Sequence, residues 1–237
     1  MQINANFEKP VFILPSHYDW VESTQSGVTR MMLDRIGAEK ARATSLVHYQ
    51  KKASFPAHAH PGGEEIFVLS GTFSDESGDY PKGYYLRNPV GSSHTPKSHE
   101  GTLIFVKLWQ MEAQDDVFIR VNTEDETNWN IENGKRICSL YDGFNEKVYL
   151  QCLELDEQLI SSNKATEILV LAGELTISEL RSSRLIDSCG VESKVFPKGS
   201  WMRLPENFSI ELIALQPDTR VFIKEGSFKN TLFELTP

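Results

Sequence analysis

One ten-residue phrase occurs twice in this chain. YPKGYYLRNP at 80–89 returns as FPKGSWMRLP at 196–205, with Pro, Lys, Gly, Arg and Pro in the same places. EEIFVLSG at 64–71 is answered in the same order by TEILVLAG at 166–173. A weaker echo sets GVTRMMLDRIGAEK at 27–40 against GKRICSLYDGFNEK at 134–147. Repetition in a fixed order implies one structural unit built twice. We place the two units at residues 1–120 and 121–237, each of ordinary domain size. The join near 111–130, rich in Glu, Asp, Asn and Thr, reads as a linker between strands.

The local pattern says what the unit is made of. Short runs of Val, Ile, Phe and Leu recur at TSLVHYQ (44–50), EIFVLSGTF (65–73), GYYLRNP (83–89) and TLIFVKLWQ (102–110), split by turn-formers such as SDESGDYPKG (74–83). Many short strands at regular spacing predict an all-β sandwich or barrel. Helical periodicity surfaces only briefly, around 27–36. A hydrophobic fraction of 40% suffices for a real core. The net charge of −9 argues against a nucleic-acid or anionic membrane surface. Apolar runs such as IFVL (66–69) are far too short to cross a bilayer. MQINANFEKP lacks the basic start and apolar stretch of a signal peptide, so none is expected. Cys138, Cys152 and Cys189 are odd in number and show no CxxC spacing, which predicts buried, reduced thiols in a cytoplasmic setting.

Chemistry concentrates in HAHPGGEE and in PVGSSH ending at His94. Alternation in an extended strand turns residues i and i+2 to one face, so His58 and His60 can point into one pocket. Glu64, just past the Pro61-Gly62-Gly63 turn, can add an oxygen, and His94 arrives from a separate segment. Three imidazoles and a carboxylate suit a divalent transition ion such as zinc, iron, manganese, nickel or copper, rather than calcium or magnesium. His17, His48 and His99 carry no such spacing, and the acidic DESGD (75–79) reads simply as a turn. In the second copy Thr166 stands for Glu64 and Ile210 for His94, and no histidine follows His99. A histidine metal site is therefore excluded there. Arg87 and Arg203 recur at matching positions, and recurrence in the copy without ligands predicts a structural salt bridge.

HAHPGGEEIFVLSG resembles the first cupin motif, HxH, x3, E, x6, G, and GYYLRNPVGSSH resembles the second, G, x5, PxG, x2, H. The longer string HPGGEEIFVLSGTFSDESGDYPKGYYLRNPVGSSHTP is similar to the ChrR-type cupin domain. The resemblance covers about residues 20–110, and the second half matches as a degenerate copy. Two departures stand out: the glycine expected six residues before the first histidine is Lys52, and the asparagine often found after the second motif is Ser98.

The resemblance implies two tandem jelly-roll barrels of the double-stranded β-helix kind, with His58, His60, Glu64 and His94 as metal ligands. Glu65 is the alternative carboxylate, and the six-residue interval to Gly71 favours Glu64. It implies zinc, with iron, manganese or nickel also suited, used to bind or sense a small molecule or oxidant. The alternative is a metal-dependent dioxygenase acting on a diketone or phenolic compound. Anti-sigma relatives carry an N-terminal module with a His/Cys zinc site; here the first cysteine is Cys138, so direct sigma-factor binding is not expected. A monomer or homodimer follows from pairing of cupin barrels within one chain.

Overall fold

The computed structural model describes residues 1–38, 40–178, 194–226 and 228. They form antiparallel strands joined by turns, with helical geometry limited to the 3-10 turns Pro15–His17 and Glu126–Asn128. The architecture is all-β, as the spacing of apolar runs predicts. No helix among the described residues is long and apolar enough to cross a membrane.

Two compact units divide the chain. In the first, a nine-stranded sheet is built around Thr102–Leu108, which pairs with Ala41–Tyr49 on one side and Glu64–Asp75 on the other. A two-stranded ribbon joins His58–Ala59 to Ser93–His94. In the second, Thr219–Gly226 takes the central place between Glu146–Leu153 and Ala165–Ala172, and a four-stranded sheet completes the unit. Asn6–Tyr18 belongs to the second unit, where Val11–Ile13 pairs with the edge of Trp201–Leu204. The stretch read as a linker contains the strand Ile119–Asn122, which adds to Tyr84–Asn88 of the first unit.

The brief helical signal at 27–36 is overturned. Val28–Gly37 is a ten-residue strand paired with Ala41–Tyr49. Its alternation is interrupted between Met32 and Asp34, where the extra residue Leu33 makes a bulge. A bulge breaks the period of two, so the buried positions imitate a helical spacing.

The repeats correspond in three dimensions through a row of buried charges. Lys107, Glu65 and Arg87 lie side by side on adjacent strands of the first unit, and Lys224, Glu167 and Arg203 do so in the second. All six are buried. Arg87 Nη1 donates to Glu65 Oε2 at 3.0 Å and also pairs with Asp115, which gives the recurrent arginine its structural role. Of the cysteines, Cys138 and Cys152 are buried and free, and burial pushes the Cys138 thiol up to about 11. Cys189 lies outside the described residues.

Lys52 adopts φ +66°, the left-handed conformation that a glycine takes without steric cost. The motif's missing glycine therefore leaves its backbone geometry behind. Lys52→Gly is expected to raise stability by up to about 1 kcal/mol, the left-handed penalty less the added chain entropy. Chemical denaturation checks it; a fall in stability would contradict it.

Candidate metal centre

The turn after His60 is what brings Glu64 back to the histidines. Gly63 has φ +74°, and a Cβ on Gly62 would stand 2.6 Å from Trp109 Cα. Gly63 N–H donates to the His60 carbonyl, while Trp109 and Met111 N–H groups donate to the Gly63 and Gly62 carbonyls. The chain thus reverses tightly against Trp109 and enters the strand Glu64–Asp75. On the ribbon, His94 sits directly opposite His58, and His60 N–H continues the ladder to the Ser92 carbonyl.

The structure brings His58, His60, Glu64 and His94 together, with one ligand atom from each within 4.8 Å of the others. Metal–ligand bonds of about 2.1 Å require separations of roughly 3–4 Å, so small inward movements suffice. His60 Nε2 and His94 Nε2 lie 3.4 and 3.3 Å from Glu64 Oε2. Both nitrogens are buried with no hydrogen-bond partner. Leaving two buried ring nitrogens unsatisfied is costly, and a cation at their convergence point removes that cost. Among the described residues this is the one group of histidine, cysteine and carboxylate side chains arranged to hold a metal ion. Glu65, the alternative, is turned to the other face and bound to Arg87.

The other nitrogen of each ring is held by a different acceptor. His58 Nδ1 lies 3.0 Å from the Pro56 carbonyl, His60 Nδ1 3.2 Å from Ser92 Oγ, and His94 Nδ1 3.4 Å from Asp75 Oδ2. A carbonyl or carboxylate acceptor puts the proton on Nδ1 and frees Nε2 as a donor to metal. Asn88 Nδ2 donates to Glu64 Oε2 at 2.9 Å, and Arg120 fixes Asn88 in turn at 2.7 Å. None of these supports is marked by local spacing in the sequence. Asp75 in particular read as part of a turn, and it does cap that turn by accepting from Ser77 N–H at 2.7 Å. Its other oxygen holds His94.

Electrostatics separates the two buried imidazoles. Burial lowers the His60 pKa below the usual histidine value, against the pull of Glu64. Burial also works to lower that of His94, but the hydrogen bond to Asp75 and the charge of Glu64 outweigh it, so His94 is raised. Burial works to raise Asp75, yet the bonds from His94 and Ser77 hold it low. Asp75→Asn is therefore expected to misorient His94 and weaken divalent-metal affinity about 10–100-fold. Competition titration with a chromogenic chelator measures it, and an unchanged affinity would remove Asp75 from this role.

A cavity of about 540 Å³ opens beside the cluster, and His58, His60 and Glu64 form part of its wall. In the second unit the equivalent interior is filled. Ile210 and Leu212 pack with Leu159, Ile168 and Val170 in one apolar cluster, and Thr166 is buried where the first unit has Glu64.

Residues 8–112 match the family model of the ChrR cupin-like domain. No curated protein sequence matches the chain. Among solved structures, a candidate dioxygenase of Nostoc punctiforme is 14% identical with TM-score 0.70, covering 95% of this chain and 85% of its own. The nickel(II) complex of the bacterial pirin YhhW from Escherichia coli is 14% identical with TM-score 0.65, covering 91% and 98%. A cupin 2 conserved barrel domain protein from Leptotrichia buccalis is 15% identical with TM-score 0.56, covering 87% and 92%. At such identities the likeness is one of fold, the cupin fold.

Proposed function

From a chain whose residues 8–112 match the ChrR cupin-like family model, we propose that the first unit binds one divalent transition metal through His58, His60, Glu64 and His94 and offers it to a small molecule. The protein is then a metal-dependent binding or sensing protein for that molecule. The observation that carries this reading is the 540 Å³ cavity walled by three of the four candidate ligands. A purely structural centre gains nothing from such an opening, whereas ligand sites are concave and largely pre-formed. Zinc is the ion that the family resemblance favours; iron, manganese and nickel suit the same donors.

Around the centre the chain's own residues do defined work. Pro56, Ser92 and Asp75 hold the three Nδ1 positions, and Asn88 holds Glu64 Oε2. When bound, the ion supplies Lewis acidity to an oxygen of the incoming molecule.

Turnover of a small organic compound with dioxygen is the second reading. It is favoured by the same opening and by the name of the Nostoc neighbour, a candidate dioxygenase. One experiment separates them. Protein purified without added metal or chelator is assayed for metal, then stripped, loaded anaerobically with Fe(II), and screened for oxygen uptake with diketones and phenols. Bound metal without uptake supports binding or sensing. Uptake that His94→Ala abolishes establishes the dioxygenase. Absence of any metal affinity overturns both.

A further inference from the structure

Two arginines line the cavity with the candidate ligands. Arg30 and Arg35 come from the strand Val28–Gly37 and share the wall with His58, His60 and Glu64. Five residues apart, they would face opposite sides of a regular strand. The bulge at Leu33 reverses that parity: Arg30 pairs opposite Val47 and Arg35 opposite Ala43, and both partners line the cavity. The irregularity thus serves to bring a second guanidinium inside.

These arginines differ from Arg42 and Arg87 of the same unit. Arg42 is bound to Asp34 at 3.3 Å, and Arg87 to Glu65 and Asp115. Arg30 stacks over Phe55 at 5.5 Å, and Arg35 donates to the Ala38 carbonyl. Among the described residues neither is paired with a carboxylate. Both are half-buried, and burial lowers each pKa, with the charge of Arg30 adding to the effect on Arg35. Guanidinium stays charged nonetheless. Glu64 is the one acidic group on the wall, and it is turned to the histidines. In a chain of net charge −9 this cavity is locally cationic. Between the charged ends the wall is apolar, formed by Ala43, Val47, Ile104 and Val106 among others.

We propose that the cavity binds a small organic acid, its carboxylate held by Arg30 and Arg35, its hydrocarbon body against the apolar wall, and a second oxygen directed to the metal centre. Planar forks of donors match a carboxylate edge, and a dehydrated wall strengthens the pairing. The inference rests on the proposed metal reading and names the chemical class of its ligand.

The test is calorimetric titration of the full chain loaded with Zn(II), using phenylpyruvate and adipate as probes. Phenylacetone and inorganic phosphate are the controls, and metal content is read on the same samples. At least one acid is expected to bind, with phenylacetone at least tenfold weaker. Arg30→Gln and Arg35→Gln are each expected to weaken the acid at least tenfold while one metal per chain is retained. Arg30→Lys and Arg35→Lys, which keep the charge, guard against misfolding and are expected to fall between wild type and the glutamine variants. The proposal is overturned if neither acid binds, if phenylacetone or phosphate binds as well, or if all four variants bind like wild type. Wild-type protein that takes up no metal overturns the metal reading instead. Metal held without acid binding overturns the acid site alone.

Discussion

Alanine in place of His60 or His94 is expected to yield a folded protein that retains no stoichiometric metal. Each substitution removes one of four donors, and even the outer partners of such ligands are worth about 10–100-fold in affinity. Removal of a ligand itself should exceed that. The wild-type chain is expected to carry one metal, because the second unit has Thr166 and Ile210 where the first has Glu64 and His94. Bound metal stabilises only the folded state, by about 4 kcal/mol when its free concentration is a thousand times Kd. A chelator should therefore lower the melting temperature of the wild type and leave His94→Ala unmoved. Elemental analysis with paired melting curves checks both parts. Two metals per chain, or full metal content in His94→Ala, would contradict the assignment.

The second large effect concerns stability and should leave the metal untouched. Arg87 is 1% exposed, and its partner Glu65 is 3% exposed. Arg87→Leu leaves Glu65 and Asp115 buried without their cation, at a cost of roughly 3–5 kcal/mol. The double change Glu65→Leu, Arg87→Leu should recover part of the stability, since an apolar pair carries no charge to desolvate. Metal content should be unchanged, because Glu64 and Glu65 point to opposite faces of their strand. Urea denaturation and elemental analysis on the same variants separate the two roles. Loss of metal in Arg87→Leu with unaltered stability would invert them.

What could be read from the sequence follows the range over which each signal acts. His58, His60 and Glu64 are linked by strand alternation and a glycine turn, both local, so their convergence was legible. His94 was reachable because its spacing belongs to a second motif. Asp75, Ser92 and Asn88 were not, because their positions relative to the histidines are set by pairing between distant strands. The same holds for Val11–Ile13. Nothing in its sequence selects the edge of Trp201–Leu204. The segment 27–36 misled for a different reason: one unpaired residue erased the alternation that identifies a strand. Arg30 and Arg35 were hidden by that same residue.

Leu33 consequently acts on space as an inserted letter acts on a reading frame. Every side chain after it, up to Gly37, is read onto the opposite side of the sheet from the one its number would give. Deleting Leu33 would remove the bulge and leave Asp34 opposite Thr44 and Arg35 opposite Ala43, whereas drawing Leu33 into the ladder would exchange inside and outside for the rest of the strand. In that flattened strand Arg35 would be expelled and Asp34 admitted, which inverts the sign of the charge presented at that position. What matters at this point is that the extra residue stays out of the ladder.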